Sequence, residues 1–260
     1  GNGTTLECHD NLIDNNITNS DHSIYGLYIT FNDSEYKNVY NNTITNITEI
    51  RGSATGLYNY HGTLGYFYNN KIQHLIGKSS SPSATIFGIY QTEYGKEMYF
   101  YNNTITDLEN PGAEAVLGTD WNELSGIYIE SSPNIRGFYN NTVYLNGTIT
   151  GNQTNYGSSA ICGFDLYGVD LRNNILINTT ASKGTEGKTV VIRERTQGLT
   201  GFTSNYNNLY AGIPSPKNLI FWNGSISAQT LNDYKTLVFP LESQSKTEMS
   251  PFVNVTTQPW

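Results

Sequence analysis

A short phrase, Tyr-Asn-Asn followed by one further residue and an aliphatic one, returns along this chain at intervals of about 30 residues. Clear copies begin at Tyr40, Tyr68, Tyr101 and Tyr139, and weaker copies continue the series towards both ends. Self-similarity at such a period is typical of repeat architectures, in which one small unit cannot bury its apolar side alone. The copies are therefore expected to stack and to share one continuous core.

A second phrase, Gly followed by an aliphatic residue and Tyr, lies a nearly constant distance before each copy, at 26–28, 56–58, 88–90 and 126–128. Both phrases alternate apolar with polar residues, and clusters of Gly, Ser, Asn and Pro separate them. This pattern is typical of short strands, whereas the long runs of Ala, Leu, Glu and Lys expected of helical repeats are missing. We predict an all-β fold, a parallel β-helix (solenoid) of about seven to eight rungs.

The repeated Asn has a physical role in such a coil. Where a strand bends into the next face, a buried Asn amide can bond the backbone and the equivalent Asn one turn above and below. We align the copies of the repeat on the Asn that lies two places before the aliphatic residue, and we call this Asn the register mark. It predicts a structural Asn ladder that consists of Asn15, Asn42, Asn70, Asn103, Asn141, Asn173 and Asn207.

The last quarter of the chain departs from the repeat. We assign residues 1–209 to the parallel β-helix repeats and residues 210–260 to the last rung and a C-terminal cap. Within the cap, residues 227–237 begin with Ser and carry apolar residues at helical spacing, which predicts one short helix with an N-cap. Such a cap would cover the open end of the strands against edge-to-edge pairing.

The Tyr of the second phrase is periodic as well. Side chains alternate across a strand, so this Tyr should lie on the outer face and stack with its equivalents in neighbouring turns. The predicted surface aromatic stripe consists of Tyr28, Tyr58, Tyr90 and Tyr128. Such rings can bind sugars or a neighbouring protein, although packing between turns explains them equally well.

Asn-x-Ser/Thr sequons are plentiful, as chance alone would produce in a chain so rich in these residues. Asn41, Asn102 and Asn140 share one outward position beside the predicted ladder, so sugars attached there would form a stripe along the rod. The possible glycosylation sites are Asn41, Asn46, Asn102, Asn140, Asn146 and Asn178.

Charge excludes some partners. Only 14% of the residues are charged, and the formal net charge is −8. Nucleic acid or an anionic membrane surface requires a clustered basic patch, so we expect no nucleic-acid partner. No apolar stretch approaches the roughly 20 residues that cross a bilayer, which predicts no transmembrane segment. The opening Gly1 favours a processed or excised portion of a longer protein.

The two cysteines, Cys8 and Cys162, fall about five rungs apart in the predicted coil. At the usual spacing between strands they would be more than about 20 Å apart, which is too far for an intrachain disulfide. Two interpretations stay open. The thiols pack as small apolar groups, or Cys162, which occupies an outward slot that Tyr fills in other copies, forms a bond between molecules.

A family resemblance covers most of the chain, from about residue 24 to residue 255. The chain contains the strings YNNTITNIT, SGIYI, YNNTVYLNGT, DLRNNILINTT, NLIFWNG and TLNDYKTLV. Together these strings resemble the very large secreted β-helix repeat proteins of Bacteroidota, many of which carry type IX secretion sorting domains. The resemblance implies a right-handed coil, an extracellular or cell-surface location, and a structural or adhesin-like role without an assigned catalytic residue.

Catalysis in a β-helix needs acid and base side chains, or a Ca²⁺ site with a basic partner, on one face. The acids of this chain are scattered: Asp165 and Asp170 flank a turn, and Arg193 with Glu194 lies in a local charge cluster. The four histidines show no metal-ligand spacing. We predict no catalytic, cofactor-binding or metal-binding residue.

The resulting hypothesis is a non-catalytic extracellular structural or adhesin-like β-solenoid, a glycosylated subunit of a surface fibre or filament. Its expected partners are glycans and further copies of the chain, joined end to end or laterally. Two alternatives stay open. One is a polysaccharide-binding or polysaccharide-cleaving β-helix of pectate-lyase-like shape, and the other is a phage or viral fibre.

Overall fold

The structure, a computed structural model, describes most of the chain. The described residues are 5–30, 36–79, 81, 84–92, 94, 96–111, 124–130, 135–147, 154–196 and 201–252. They form short strands and one short helix. None of the helical segments within these ranges has the length and apolar character that crossing a membrane requires.

Each turn contributes three strands. The first four turns contain β1 (Thr5–His9), β2 (Leu12–Thr18), β3 (Ile24–Ile29), β4 (Tyr36–Tyr40), β5 (Thr43–Glu49), β6 (Ala54–Asn59), β7 (Leu64–Tyr68), β8 (Lys71–Gly77), β9 (Ile86–Gln91), β10 (Glu97–Tyr101), β11 (Thr104–Glu109) and β12 (Leu124–Ile129). The later strands are β13 (Ile135–Tyr139), β14 (Thr142–Leu145), β15 (Ser158–Gly163), β16 (Val169–Arg172), β17 (Ile175–Asn178), β18 (Thr189–Glu194), β19 (Thr203–Asn205), β20 (Asn208–Tyr210), β21 (Asn218–Trp222) and β22 (Ser227–Ala228).

The strands form three sheets that wrap around one core. The sheet orders are β1-β4-β7-β10-β13-β16-β19, β2-β5-β8-β11-β14-β17-β20 and β22-β21-β18-β15-β12-β9-β6-β3. Neighbours are parallel except β21 and β22, which are antiparallel. The predicted all-β parallel β-helix is confirmed. Seven strand levels enclose about six complete turns, so the predicted count of seven to eight rungs was slightly high.

Fixed register places equivalent side chains of successive turns directly over one another. Phe67, Phe100 and Phe138 form one such inner column, with ring centroids 4.6 and 4.9 Å apart. All three are fully buried. The aliphatic position of the Tyr-Asn-Asn phrase forms a second inner column, which consists of Ile44, Ile72, Ile105 and Val143. The core is therefore a continuous stack from turn to turn.

The Gly of the second phrase allows two backbones to approach closely. A Cβ atom on Gly88 would lie 2.5 Å from the carbonyl oxygen of Gly126 and 2.5 Å from Cγ2 of Ile105. Contacts this short would force the turns apart. In the fifth turn Ala160 replaces the Gly, and Leu176 replaces the β-branched residue opposite. In this turn Ala160 and Leu176 thus maintain the packing that Gly and a β-branched residue provide in the turns before.

The C-terminal cap contains helix α1 (Leu231–Leu237). Thr230 is the N-cap: its side chain accepts a hydrogen bond from the Asp233 amide, and the Asp233 carboxylate accepts one from the Thr230 amide. The helix buries Tyr234 against the last turn. The predicted short helix is confirmed, but Ser227 does not cap it, because Ser227 pairs with β21 as part of β22.

Candidate functional site: stacked side-chain columns

One column of amides runs through every strand level, and we call it the amide ladder. Each ladder Asn except the last donates its backbone N–H and its Nδ2 to the Oδ1 of the next, over 2.8–3.1 Å. From the second turn on, Nδ2 also donates to a carbonyl of the turn before. The ladder consists of Asn11, Asn42, Asn70, Asn103, Asn141, Asn174 and Asn207.

The prediction was wrong for Asn173. This residue is exposed, with φ 57°, and the ladder position of its turn belongs to Asn174, which is buried. The alignment of this copy is off by one residue, because Ile175 is not the inward aliphatic residue. Leu176, which pairs with the inward residue of the turn before, has that role, and Asn174 lies two places before it.

The prediction was also wrong for Asn15. Asn15 is exposed at φ 56°, and the ladder begins instead with Asn11. Ile17 was taken as the inward residue of the first turn, yet it is 66% exposed. Ile13 is the residue that pairs with the inner aliphatic of the next turn, and Asn11 lies two places before it.

The residue just before each ladder Asn turns the corner in a left-handed conformation. Asn41, Asn102 and Asn140 have φ between 54° and 55° and are exposed. Asn tolerates this conformation better than most residues, which explains the doubled Asn of the phrase. Three predicted glycosylation sites therefore lie in one exposed row. The predicted sites Asn46 and Asn146 are exposed as well.

The predicted glycosylation site Asn178 is wrong. Its side chain is fully buried, and Nδ2 donates to the carbonyls of Ser158 and Val190 at 3.1 and 2.9 Å. A glycan would have to replace these bonds and has no route to solvent. Asn178 fixes the corner between the second and third sheets instead.

The predicted Tyr stripe is a ring column on the outer face of the third sheet, which we call the Tyr58 column. The centroids of Tyr28 and Tyr58, of Tyr58 and Tyr90, and of Tyr90 and Tyr128 are 4.8, 4.8 and 4.9 Å apart. Exposure falls from 48% at Tyr28 to 1% at Tyr128. The column is therefore a surface stripe only at its N-terminal end, and the prediction is corrected for Tyr128.

Two features limit what the Tyr58 column can bind. Neighbouring rings cover each other's faces, so the exposed parts are ring edges and hydroxyls. Towards the buried end, the Tyr90 hydroxyl donates to Glu130, and Arg195 donates to the Tyr128 hydroxyl at 2.9 Å. Burial, aided by Glu130, raises the pKa of Tyr90 above its ordinary value, so the phenol stays protonated. Sugars, which stack on open ring faces, find few here.

A second outer ring column lies on the first sheet and was not predicted. His9 stacks on Tyr40 at 4.6 Å, Tyr40 on Tyr68 at 4.8 Å, and Tyr68 on Tyr101 at 4.9 Å. We call it the Tyr40 column. The Tyr of the Tyr-Asn-Asn phrase was the available signal, because it recurs at the same position as faithfully as the Asn does.

Neither cysteine forms a disulfide with another described residue. Cys162 does occupy the Tyr slot of the third sheet, paired with Tyr128, but it is fully buried in a small outer cluster with Phe87. A bond from Cys162 to another molecule is therefore ruled out in this fold. Cys8 lies on the inner side of β1 and is half-buried, and burial raises the pKa of its thiol.

Charged side chains on the inner face were missed by the sequence reasoning. Lys37 and Arg136 lie at 0% and 1% exposure. Lys37 donates to the Asn59 side chain at 2.9 Å, and Arg136 donates to the carbonyls of Lys96 and Ile135 at 3.1 and 3.0 Å. Burial lowers the pKa of Arg136 to about 10. The available signal was strand alternation, since both residues lie two places before an inward apolar residue.

Glu194, at the end of β18, is a buried acid. One of its oxygens accepts hydrogen bonds from the Thr196 amide and hydroxyl, at 3.1 and 2.7 Å. Burial raises its pKa to about 6, with a smaller contribution from the nearby Asp165. The folded protein therefore holds the Glu194 proton more tightly than the unfolded chain does.

We expect Glu194→Gln to stabilise the protein by about 1 kcal/mol near pH 8 and to have little effect below pH 4.5. In the protein with Glu194, the free energy of unfolding falls as the pH rises from 4.5 to about 6, because the folded state must then give up a proton that it binds more tightly than the unfolded chain does. Guanidinium unfolding of both proteins across this pH range measures the difference. Exposed Glu97→Gln is the matched control, and equal stabilisation by Glu194→Gln at both pH values would contradict the burial argument.

The acidic and basic residues weighed for catalysis do not form one cluster, although Asp165 lies near Glu194. Asp170 accepts from Tyr139 and Arg172 on the first sheet, whereas Arg193 lies over Trp222 on the third, 4.5 Å from its ring centroid. Asp165 accepts from a backbone amide in a loop. Across the ranges that the structure describes, no three His, Cys, Asp or Glu side chains form a metal-binding group.

No family model, curated protein or solved structure matches this chain.

Proposed function

We propose that this chain is a non-catalytic structural and adhesive element, a stiff β-solenoid at the cell surface or in the extracellular medium. The observation that carries the proposal is the amide ladder, which occupies the same position in every turn. Fully paired buried amides rigidify a fold and specify one register. A chain that uses one position of each turn in this way is suited to a rigid rod.

The outer surface repeats as regularly as the core. The Tyr58 and Tyr40 columns and the exposed row of turn Asn residues present the same groups at the spacing of the turns. Repeated groups support multivalent binding, in which many weak contacts act together. This favours a partner that is itself periodic: a second rod, or a polysaccharide that hydrogen-bonds to the exposed hydroxyls and amides instead of stacking on the covered ring faces. The resemblance to secreted Bacteroidota repeat proteins supports the extracellular location, and glycans on the turn Asn row belong to the same proposal.

Immunogold electron microscopy of the source cells tests the location and the role. We expect an antibody against the folded chain to label the cell exterior or released fibres, and to reduce adhesion of the cells to their substratum. Label confined to the cell interior would overturn the proposal. Peptide mass mapping of native material decides the glycans, because a glycan adds mass to the peptide that contains Asn41, Asn102 or Asn140.

A polysaccharide panel tests the non-catalytic part of the proposal. The full chain should release no oligosaccharide from acidic or neutral polymers. Turnover that disappears on substitution of Asp165 or Arg193 by Ala would instead establish the carbohydrate-cleaving alternative.

One observation favours carbohydrate binding as a second candidate. Beside the Tyr58 column, Tyr60 contacts His61 and Tyr94 with centroids 4.1 and 5.1 Å away, and Tyr94 is 46% exposed. Rings at an angle leave open faces, on which sugars can stack. Titration calorimetry with oligosaccharides should show at least a tenfold loss of affinity for Tyr94→Ala. Tyr167→Ala, which removes a ring of similar exposure elsewhere, is the control, and equal losses would contradict this site.

A further inference from the structure

The N-terminal end of the coil exposes an unfinished core. β1, β2 and β3 each lie at the edge of their sheet. Their inward residues Leu6, Ile13 and Leu27 are only partly buried, whereas the equivalents one turn later are buried. A recess of ≈ 420 Å³ opens there, lined by Leu6, Cys8, Asn11 and Tyr28 among others. Edges of this kind are sites where a further strand can pair.

The amide ladder stops at this end with its hydrogen bonds incomplete. Every later ladder Oδ1 accepts two N–H groups from the turn before, but the structure records no described donor for the Oδ1 of Asn11. Later ladder amides donate to a carbonyl of the preceding turn, as Asn42 does to Cys8 at 3.0 Å. The corresponding contact of Asn11 is a weak one of 3.6 Å to the Cys8 sulfur. The missing partners are two N–H donors and a carbonyl.

Both ring columns also end at this face with a ring that has one stacked neighbour. His9 is the first ring of the Tyr40 column, and Tyr28 is the first ring of the Tyr58 column. A strand added beyond β1 would place a ring over His9, and one added beyond β3 would place a ring over Tyr28. The amide ladder, the Tyr40 column and the Tyr58 column therefore each end at this face, and one further turn could extend all three.

The opposite end of the coil does not provide that neighbour. There the Asn207 amide donates to Ser245 at 2.8 Å, and Ser245 donates to the buried Glu242, so the ladder is closed. Helix α1 covers the core beside it, with Tyr234 stacked 5.2 Å from Phe221. A second copy cannot complete the open face with this end. If two copies met through their open faces, the Oδ1 of one Asn11 would face the Oδ1 of the other, and neither acceptor would gain a donor.

We propose that the N-terminal face binds one further turn of the same repeat, which has Asn at its ladder position and aromatic rings at both outer positions. Its ladder Asn supplies the two donors to Asn11, and its first strand supplies the carbonyl. Thr5 pairs with Tyr36, and Tyr36 pairs with Leu64. β1 therefore begins at the same corner of the coil as β7, and a preceding turn would end at that corner. This inference rests on the fold and not on the proposed function, so either can fail alone.

A chain with one added turn tests the inference. A second copy of residues 36–63 that replaces residues 1–4 keeps the register, because Tyr36 pairs with Leu64 one turn later. We expect the added turn to slow the labelling of native Cys8 by a thiol reagent at least tenfold and to raise the melting temperature. Buried Cys162 is the internal reference, since it should stay unlabelled in both proteins.

The matched control carries the same added turn with the copied Asn42 replaced by Ala, which should recover most of the Cys8 labelling. Limited proteolysis provides a second readout: a docked turn resists cleavage, and an added segment that is trimmed back to Thr5 overturns the inference. Labelling of Cys8 that stays within twofold of the parent overturns it too. So does a parent chain that sediments as a dimer with Cys8 already protected, because the face would then bind a second copy.

Discussion

Replacing Asn103 with Ala should destabilise the protein by about 3–6 kcal/mol. The Oδ1 of Asn103 accepts from the backbone N–H and the Nδ2 of Asn70, both at 3.0 Å, and its Nδ2 donates to Asn141 and to the Phe67 carbonyl at 3.0 and 2.9 Å. Ala leaves the two Asn70 donors and the Phe67 carbonyl without these partners inside the coil, whereas the Asn141 Oδ1 still accepts from the backbone N–H of residue 103. Each buried unpaired group costs about 1–3 kcal/mol. Guanidinium unfolding followed by circular dichroism measures the loss.

The adjacent Asn102 provides the matched control. It is exposed and has φ 55°, a conformation that Gly adopts without strain. Asn102→Gly should therefore change the free energy of unfolding by no more than about 0.5 kcal/mol. If the two substitutions cost the same, the ladder contributes nothing beyond its turn geometry, and the rigid-rod interpretation fails with it.

The repeat predicted the architecture because stacked turns leave little freedom. Strand, turn and strand recur along the chain, so the ladder follows from alternation. The inner column of Phe67, Phe100 and Phe138, which we did not predict, obeys the same alternation. Both ladder errors assign the inward position to the wrong aliphatic residue. At Asn173 the shift is one residue, which exchanges the inner and outer faces of a strand, whereas in the first turn the ladder residue Asn11 lies four places before Asn15.

What the repeat could not predict is which part of the outer face is covered. Tyr128 and Cys162 occupy outward positions in the pattern but are buried, and Asn178 is bonded between Ser158 and Val190. Their burial depends on contacts formed once per molecule, beyond the repeating unit. A period fixes what is common to all turns, and the candidate surface is set by what differs between them.

The open end illustrates the same limit. Sequence alone placed Asn11 outside the ladder, and the missing partners became visible only when the hydrogen bonds of each turn were compared. The helix at the other end was easier to predict, because its apolar residues recur at helical spacing, although its N-cap is Thr230 and not the predicted Ser227.

Replacing Phe100 with Ala should cost about 3–5 kcal/mol. The ring is fully buried and lies between those of Phe67 and Phe138, 4.6 and 4.9 Å from their centroids. The neighbouring backbones are held by parallel pairing on both sides, so the turns cannot close over the space that the ring leaves. The expected loss of stability therefore combines the lost burial of the ring with the cost of a persistent cavity.

Graded variants separate these contributions. Phe100→Leu retains most of the apolar volume and should cost about 1–2 kcal/mol. Tyr99→Ala removes an outward ring of the same strand, stacked on Tyr66 at 5.6 Å, and should cost less than Phe100→Ala by at least about 2 kcal/mol, because solvent fills its place. A melting curve that shows equal losses for the inward and outward rings would contradict the inner column. It would mean that stacking along the rod matters more than enclosure within it.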